Sequence, residues 1–208
     1  MPISWCGASR PDRPRPLRPG DPQGVFICAT VVPSGARRYP VCMSELRLEE
    51  LSAATVVAAN NLTLKPGQEQ YVAPVSHSIA EAYVNPTTAW PRVVVDAEGT
   101  VVGFIMGNFD ASSDDEALRS CIWRMNVAAD SQGRGIGRFA VHALAEEARS
   151  RGFDRLTVMY EPGDDGPEEF FAHIGFQVIG DTPYGEHFAG LTLESSNAAA
   201  DEQGLARA

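Results

Sequence analysis

The chain has 208 residues, 44% hydrophobic and 21% charged, which suits one globular domain with a sizeable core and excludes a disordered or fibrous protein. No apolar run approaches the roughly 18–20 residues that cross a bilayer, so a membrane-spanning helix is excluded. Twenty-seven acidic against 17 basic residues leave a net charge of −10, which argues against general nucleic-acid binding and favours a cationic partner.

The charge is uneven. Met1 to Cys42 holds six arginines, two aspartates and eight of the fifteen prolines, so it carries about +4 and leaves about −14 on the rest. Proline removes backbone donors and restricts its neighbours, and residues 1–42 therefore read as a poorly ordered extension. Its apolar run Val25 to Val32 resembles a secretory signal, but the run is short and the arginine-rich region before it long. Another reading takes Met43 as the natural start. Cys6, Cys28 and Cys42 match no zinc pattern, Cys121 reads as a core thiol, and the four histidines show no metal spacing. No metal is expected, and cysteine usage reads as cytoplasmic.

From Met43 onward strands alternate with helices. Glu45 to Leu48 reads as a strand and Ser52 to Asn60 as a helix; Ser78 and Glu81 have capping-box spacing for a second helix, Ser78 to Val84. Arg92 to Asp96 and Val101 to Phe109 form a hairpin through the Ala97–Thr100 turn, Cys121 to Val127 continues the antiparallel run, and Asp110 to Glu116 reads as an exposed loop. A glycine-rich turn at 132–137 opens a helix to about Arg151, whose apolar Ile136, Phe139, Ala140, Ala143, Leu144 and Ala148 recur at helical spacing. Asp154 to Tyr160 is the next strand, and Pro167, Glu168 and Glu169 mark a helix start. Phe176 to Ile179 and His187 to Leu193 finish the sheet, and a flexible tail follows from Glu194.

In Gln132-Gly133-Arg134-Gly135-Ile136-Gly137 the glycines let backbone N–H groups converge at a helix start, a geometry that can hold a pyrophosphate with Arg134 and Arg138 beside it. The same turn can also be a tight connection and nothing more. Dinucleotide binding of the Rossmann kind fits poorly, because antiparallel strands precede the turn and the glycine spacing differs.

These residues resemble the GNAT superfamily of N-acetyltransferases, whose motif Gln/Arg-x-x-Gly-x-Gly/Ala is matched by Gln132, Gly135 and Gly137. The strand Ile122 to Val127, the strand ending at Tyr160 and the helix ending His173-Ile174-Gly175-Phe176 fall in family order, so the resemblance covers residues 43–193. Leu64 to Ala73, Ser78 to Tyr83, Trp123-Arg124-Met125 and Tyr160-Glu161-Pro162 are similar to the bacterial spermine/spermidine acetyltransferase branch. The resemblance implies an α/β (α+β) fold, with a mostly antiparallel mixed sheet of about six to seven strands flanked by about four helices. It also implies an acetyl-CoA site, in which Met125 and Val127 offer backbone groups to the pantetheine arm and the amides of Gly133, Arg134, Gly135, Ile136, Gly137 and Arg138 take the pyrophosphate. Asp164 falls where an asparagine usually contacts CoA; as an aspartate it offers no donor, and starting the next helix is its other reading.

Acetyl transfer to an amine needs a neutral nucleophile, a stabilised oxyanion and a proton for the departing thiolate. An ammonium with a pKa near 10.4 is neutral to only about one part in two thousand at pH 7. Glu161 is the candidate acceptor of that proton; its other reading is a solvated acid at a strand end. Phe171 stands where relatives carry a tyrosine near the CoA sulfur as general acid, and it has no proton to give, so Tyr160 or Tyr184 becomes the candidate donor. Gln68, Tyr71, Tyr83, Trp90 and Trp123 are expected to wall the acceptor pocket, with Glu69, Glu81 and Asp110 attracting a polycation.

The expected partner is a small-molecule amine acceptor, a polyamine by the branch motifs, with no nucleic acid and no membrane; a homodimer is compatible with the resemblance. A second class stays open, an acyl-CoA-binding regulatory module, as do other acceptors: an amino acid, an antibiotic amine or a protein amino group.

Overall fold

The structure, a computed structural model, describes residues 46–163 and 166–194. The expected extension over 1–42, the tail from 195 onward and Asp164 lie outside these residues. Seven strands, β1 Arg47–Glu50, β2 Ala89–Val95, β3 Val101–Phe109, β4 Ser120–Val127, β5 Arg155–Tyr160, β6 Gln177–Asp181 and β7 His187–Thr192, form one sheet in the order β1-β2-β3-β4-β5-β7-β6. Every neighbouring pair is antiparallel except β4 with β5. Among the described residues five helices complete the fold: α1 Val56–Asn60, α2 Val75–Val84, α3 Glu116–Arg119, α4 Ile136–Ser150 and α5 Glu168–Ile174, with a 3-10 turn at Gln68–Gln70. This is the mixed α/β architecture that the resemblance implies, with five helices where about four are expected.

The central strands are covered on both faces. Along β2 and β3 alternate side chains divide: Val94 and Ile105 join the core under α4, while Val93, Phe104 and Met106 join Ala59 of α1 and Val75 of α2. A strand buried on both sides reads as a continuous apolar run, and β3 does. Helix α4 lies close against β3 because Gly107 has no side chain: a Cβ there would sit 2.5 Å from Leu144 Cδ1. Leu144 is wholly buried, and truncating it to alanine is expected to cost about 2–5 kcal/mol.

Several elements depart from the sequence pattern. Helix α1 starts at Val56 because Ser52 and Thr55 bond to each other's backbone in a preceding turn, Ser52 N–H donating to Thr55 Oγ1 at 3.0 Å. Helix α2 starts at Val75, not Ser78; Ser78 is mid-helix and buried, and the Glu81 carboxylate turns to Trp123, so the pair is not a capping box. Packing of the Val75, Ser78, Ile79 and Ala82 face sets that start. Strand β2 runs back through Pro91 to Ala89, which is tolerated because β1 ends opposite Arg92 and leaves Pro91 on an open edge. The loop after β3 closes with α3, where Asp115 Oδ1 accepts the Ala117 N–H at 3.0 Å. The expected hairpin turn is present, with Asp96 Oδ1 accepting from Thr100 N–H at 2.8 Å.

No helix among the described residues is long and apolar enough to cross a membrane. No group of three or more His, Cys, Asp or Glu among them could hold a metal ion.

Candidate active site

Strands β4 and β5 pair at only two positions, Cys121 with Thr157 and Ile122 with Val158, and then part. On its other side β4 carries a bulge: Met106 opposes Arg124 and Gly107 opposes Ile122, which leaves Trp123 as the extra residue at the point where the strands separate. The gap opens into a cleft of about 880 Å³. Ala128 N–H donates to Val102 O towards β3, so the strand alternation turns the backbone groups of Val127 and Met125 the other way, into the gap. That free strand edge suits an extended, amide-bearing ligand arm. One of its acceptors is shared, since Val127 O already accepts Gln132 Nε2 at 3.0 Å.

The cleft floor ends at the start of α4. Gly133 and Gly135 hold φ of 78° and 85°, a region costly to side-chain-bearing residues, and a Cβ at either would meet nothing within 4 Å. The first amide of the helix with an i−4 acceptor is that of Phe139, on Gly135 O at 2.9 Å, so the amides at 136–138 lie free at the positive end of a fifteen-residue helix. Open space, free donors and the exposed Arg138 suit an anionic group such as pyrophosphate. Gly137 serves packing instead, because a Cβ there would lie 2.9 Å from the Phe170 ring, which crosses the helix start.

The segment 63–74 covers this floor. Gln132 Nε2 donates to Gln68 Oε1 at 2.7 Å and Gln68 Nε2 returns a bond to Gln132 Oε1 at 3.2 Å, while Ala129 N–H donates to Thr63 O at 2.8 Å. Farther along, the Tyr71 hydroxyl abuts Gly163, where a Cβ would stand 2.7 Å from it. Gln68 and Tyr71 thus tie this segment to the glycine turn and to Gly163 after β5.

At the other end of the gap Tyr160 stacks on Phe171, ring centroids 5.4 Å apart and planes 20° from parallel, and both line the cleft. Burial, with the Glu168 charge adding to it, pushes the Tyr160 phenol above its ordinary value of 10.0, so it keeps its proton at neutral pH. Glu161 follows at the rim, beside Pro162, which helps to end β5. His187 meets Tyr160 edge-on at 5.8 Å from the directly opposed position on β7, and His187 Nδ1 lies 2.7 Å from Asp181 Oδ1 on β6. Glu186 also lines the cleft, its Oε2 accepting from Thr182 Oγ1 at 3.2 Å within the β6–β7 turn.

A family model of the Acetyltransferase (GNAT) family matches residues 62–176, more than half of the chain and the whole of the segment just described except its β7 side. The chain belongs to the GNAT family. Solved GNAT structures share the fold: a GCN5-related N-acetyltransferase from Kribbella flavida is 19% identical, covers 72% of this chain and 99% of its own, and has a TM-score of 0.53. The ribosomal-protein-S18-alanine N-acetyltransferase from Escherichia coli is 16% identical, covers 74% of this chain and 97% of its own, and also scores 0.53. An uncharacterized N-acetyltransferase, ycf52, of Pyropia yezoensis is 27% identical over 81 residues, which are 39% of this chain and 42% of that relative.

Against the residues expected of a GNAT site, the structure brings Met125, Val127, Gln132, Gly133, Gly135, Ile136, Gly137, Arg138, Phe171, Tyr160, Glu161, Gln68, Tyr71 and Trp123 to one cleft. Four others it does not bring there: Tyr184, 91% exposed at the β6–β7 turn, and Tyr83, 85% exposed on α2, face away, and Trp90 and Arg134 are not among the lining residues. Asp164 lies outside the described residues. Tyr184 and Tyr83 differ from the expectation because a tyrosine's place in a motif says nothing about which face of its element packs. Phe170, Arg124 and Glu186 line the cleft without having been expected. For Phe170 a signal existed, its place next to Phe171 on a short helix; for Glu186 none did, because only the register of β7 against β5 brings it near.

Proposed function

We propose that this chain is an acetyl-CoA-dependent N-acetyltransferase whose acceptor is the amino group of a small cationic molecule, a polyamine being the best fit. The observation that carries the transferase reading is the parting of β4 and β5 at Ile122 and Val158, with the backbone groups of Met125 and the N–H of Val127 facing the gap on one side and free amides at 136–138 below. What supports a cationic acceptor is the charge of the walls: Glu69, Glu161 and Glu186 line the cleft, while the cation Arg124 is taken up by Glu81, Nη2 to Oε1 at 3.4 Å.

In this reading acetyl-CoA is the co-substrate that supplies the acetyl thioester. The α4 amides and Arg138 hold its pyrophosphate, and Met125 and Val127 hold its arm. The Val127 N–H faces the gap and polarises the thioester carbonyl. Glu161 accepts the proton that the acceptor ammonium must lose, through water, since its rim position is exposed. Tyr160 supplies the proton to the departing thiolate, taking the place of the hydroxyl that Phe171 lacks one ring away.

The test is an assay in which acetyl-CoA is mixed with a panel of polyamines, amino acids, aminoglycosides and peptide amines and free CoA thiol is followed. Release with polyamines above the rest is expected. Binding of acetyl-CoA with no thiol released by any amine would leave the regulatory-module reading in its place.

A further inference from the structure

Trp123 lines two cavities. It lines the reaction cleft, and it also lines a second pocket of about 240 Å³ formed by the end of α2, the start of β2, the end of β3 and the loop after it. Among the described residues it is the one member that the two walls share. The bulge is what puts it there, since the extra residue of a bulged strand is re-aimed from its regular face.

Its side chain is fixed. The indole Nε1–H donates to Glu81 Oε2 at 3.0 Å, the Arg124 guanidinium lies 5.3 Å from the ring centre, and Arg124 Nη1 donates to Trp123 O at 2.8 Å. Glu81 therefore holds both Trp123 and, through its other oxygen, Arg124. The second pocket is also lined by Glu81, Asn85, Asn108 and Asp110, the last with its Oδ1 accepting from Ser112 N–H at 3.0 Å and Oγ at 2.6 Å.

We propose that Trp123 is the gate that sets how long an acceptor the site takes, with Glu81 as its latch. The inference rests on the amine-acetylating function proposed above. The indole closes the cleft against the second pocket, so an acceptor chain ends at its face. With the indole removed, a longer chain passes through and its far ammonium reaches Asp110. Glu81 acts through Trp123 and Arg124 and is a positioning residue.

The test uses the full chain, a series of straight-chain α,ω-diamines of increasing length and the monoamines of matching length. Trp123→Ala is expected to raise the ratio of kcat/KM for long over short diamines by about tenfold, more than for the monoamines, with acetyl-CoA affinity unchanged by calorimetry. Glu81→Ala is expected to shift the same ratio in the same direction by about threefold, and Glu81→Gln, which keeps an acceptor for the indole N–H, by less. Should Trp123→Ala not fold, Trp123→Phe, which keeps a ring and loses the latch, carries the test with a smaller shift of the same sign. A uniform loss of activity over all lengths overturns the gate. Calorimetric titration of diamines into the acetyl-CoA complex separates the two levels. Diamine binding with the same length preference in wild type and variant overturns the gate alone, and absence of any amine binding overturns the amine reading together with it.

Discussion

Tyr160 and Phe171 lie face to face, 5.4 Å between ring centres, so the strand-borne phenol stands one ring away from the helix position that carries none. If Tyr160 supplies the thiolate's proton, Tyr160→Phe lowers kcat by about tenfold, below the roughly 10²–10⁴-fold usual for a general acid because a CoA thiolate leaves fairly well. Phe171→Tyr added to that variant is expected to restore part of the loss. The direction of the phenol's shift fixes the pH test: raised above 10.0, it stays protonated through pH 7–10, so the wild-type kcat profile loses the acid only above that range and the Tyr160→Phe profile lacks that limb. An unchanged kcat in Tyr160→Phe rules the role out.

The reciprocal amide pair of Gln68 and Gln132 joins the two sides of the cleft. Gln132→Ala removes the bond to Val127 O as well as the pair, and is expected to weaken acetyl-CoA binding by about tenfold, equivalent to roughly 1–2 kcal/mol for partly buried hydrogen bonds. Gln68→Ala removes the pair alone and is expected to cost less. Calorimetry on both variants measures the order.

At the glycine turn, size and charge can be separated. Gly135→Ala strains a φ of 85° and costs about 1–2 kcal/mol of stability, with acetyl-CoA still bound. Gly135→Glu adds a negative charge at the free amides and is expected to abolish that binding in a chain that still melts cooperatively. Equal affinity in a folded Gly135→Glu chain would remove the pyrophosphate assignment.

Glu161→Gln tests proton acceptance at the rim. It is expected to lower kcat by about tenfold or more with acetyl-CoA affinity unchanged, since the phosphate turn is untouched. Wild-type activity on polyamines is expected to fall with added salt, because Glu69, Glu161 and Glu186 attract the acceptor through partly exposed charge. A salt-independent KM would argue against electrostatic capture.

Cys121 is buried in the sheet, and burial pushes its thiol from 9.0 to about 12, leaving about one part in 10⁵ as thiolate at pH 7. Cys121→Ala is therefore expected to leave turnover unchanged, and peptide mapping after alkylation of the native chain is expected to find Cys121 unmodified. The unfolded thiol ionises from about pH 9 and the folded one does not, so this group subtracts stability as pH rises from 9 towards 12.

What the sequence determined by itself was local or periodic. The apolar spacing from Ile136 to Ala148 specifies one buried face of α4, the Ala97–Thr100 turn specifies its hairpin, and the glycines at 133 and 135 specify a helix start with free donors. These features depend on neighbours a few residues away, and so did the family motif that pointed to acetyl-CoA. The start of α2 was misplaced for the same reason: Ser78 and Glu81 have local capping spacing, and only packing against β2 and β3 reveals a buried serine and a carboxylate committed to Trp123. The tertiary structure decided everything that rests on register between distant strands. The two-residue contact of β4 with β5, the bulge that turns Trp123 towards a second cavity, and the pairing of β7 that brings Glu186 and His187 beside Tyr160 are relations between separate segments of the chain, and no periodicity within one segment encodes them. Side-chain direction followed the same division. Tyr71 and Tyr83 look alike in the sequence, yet one reaches Gly163 across the cleft and the other stands in solvent, because the face that an element buries is chosen by what packs against it.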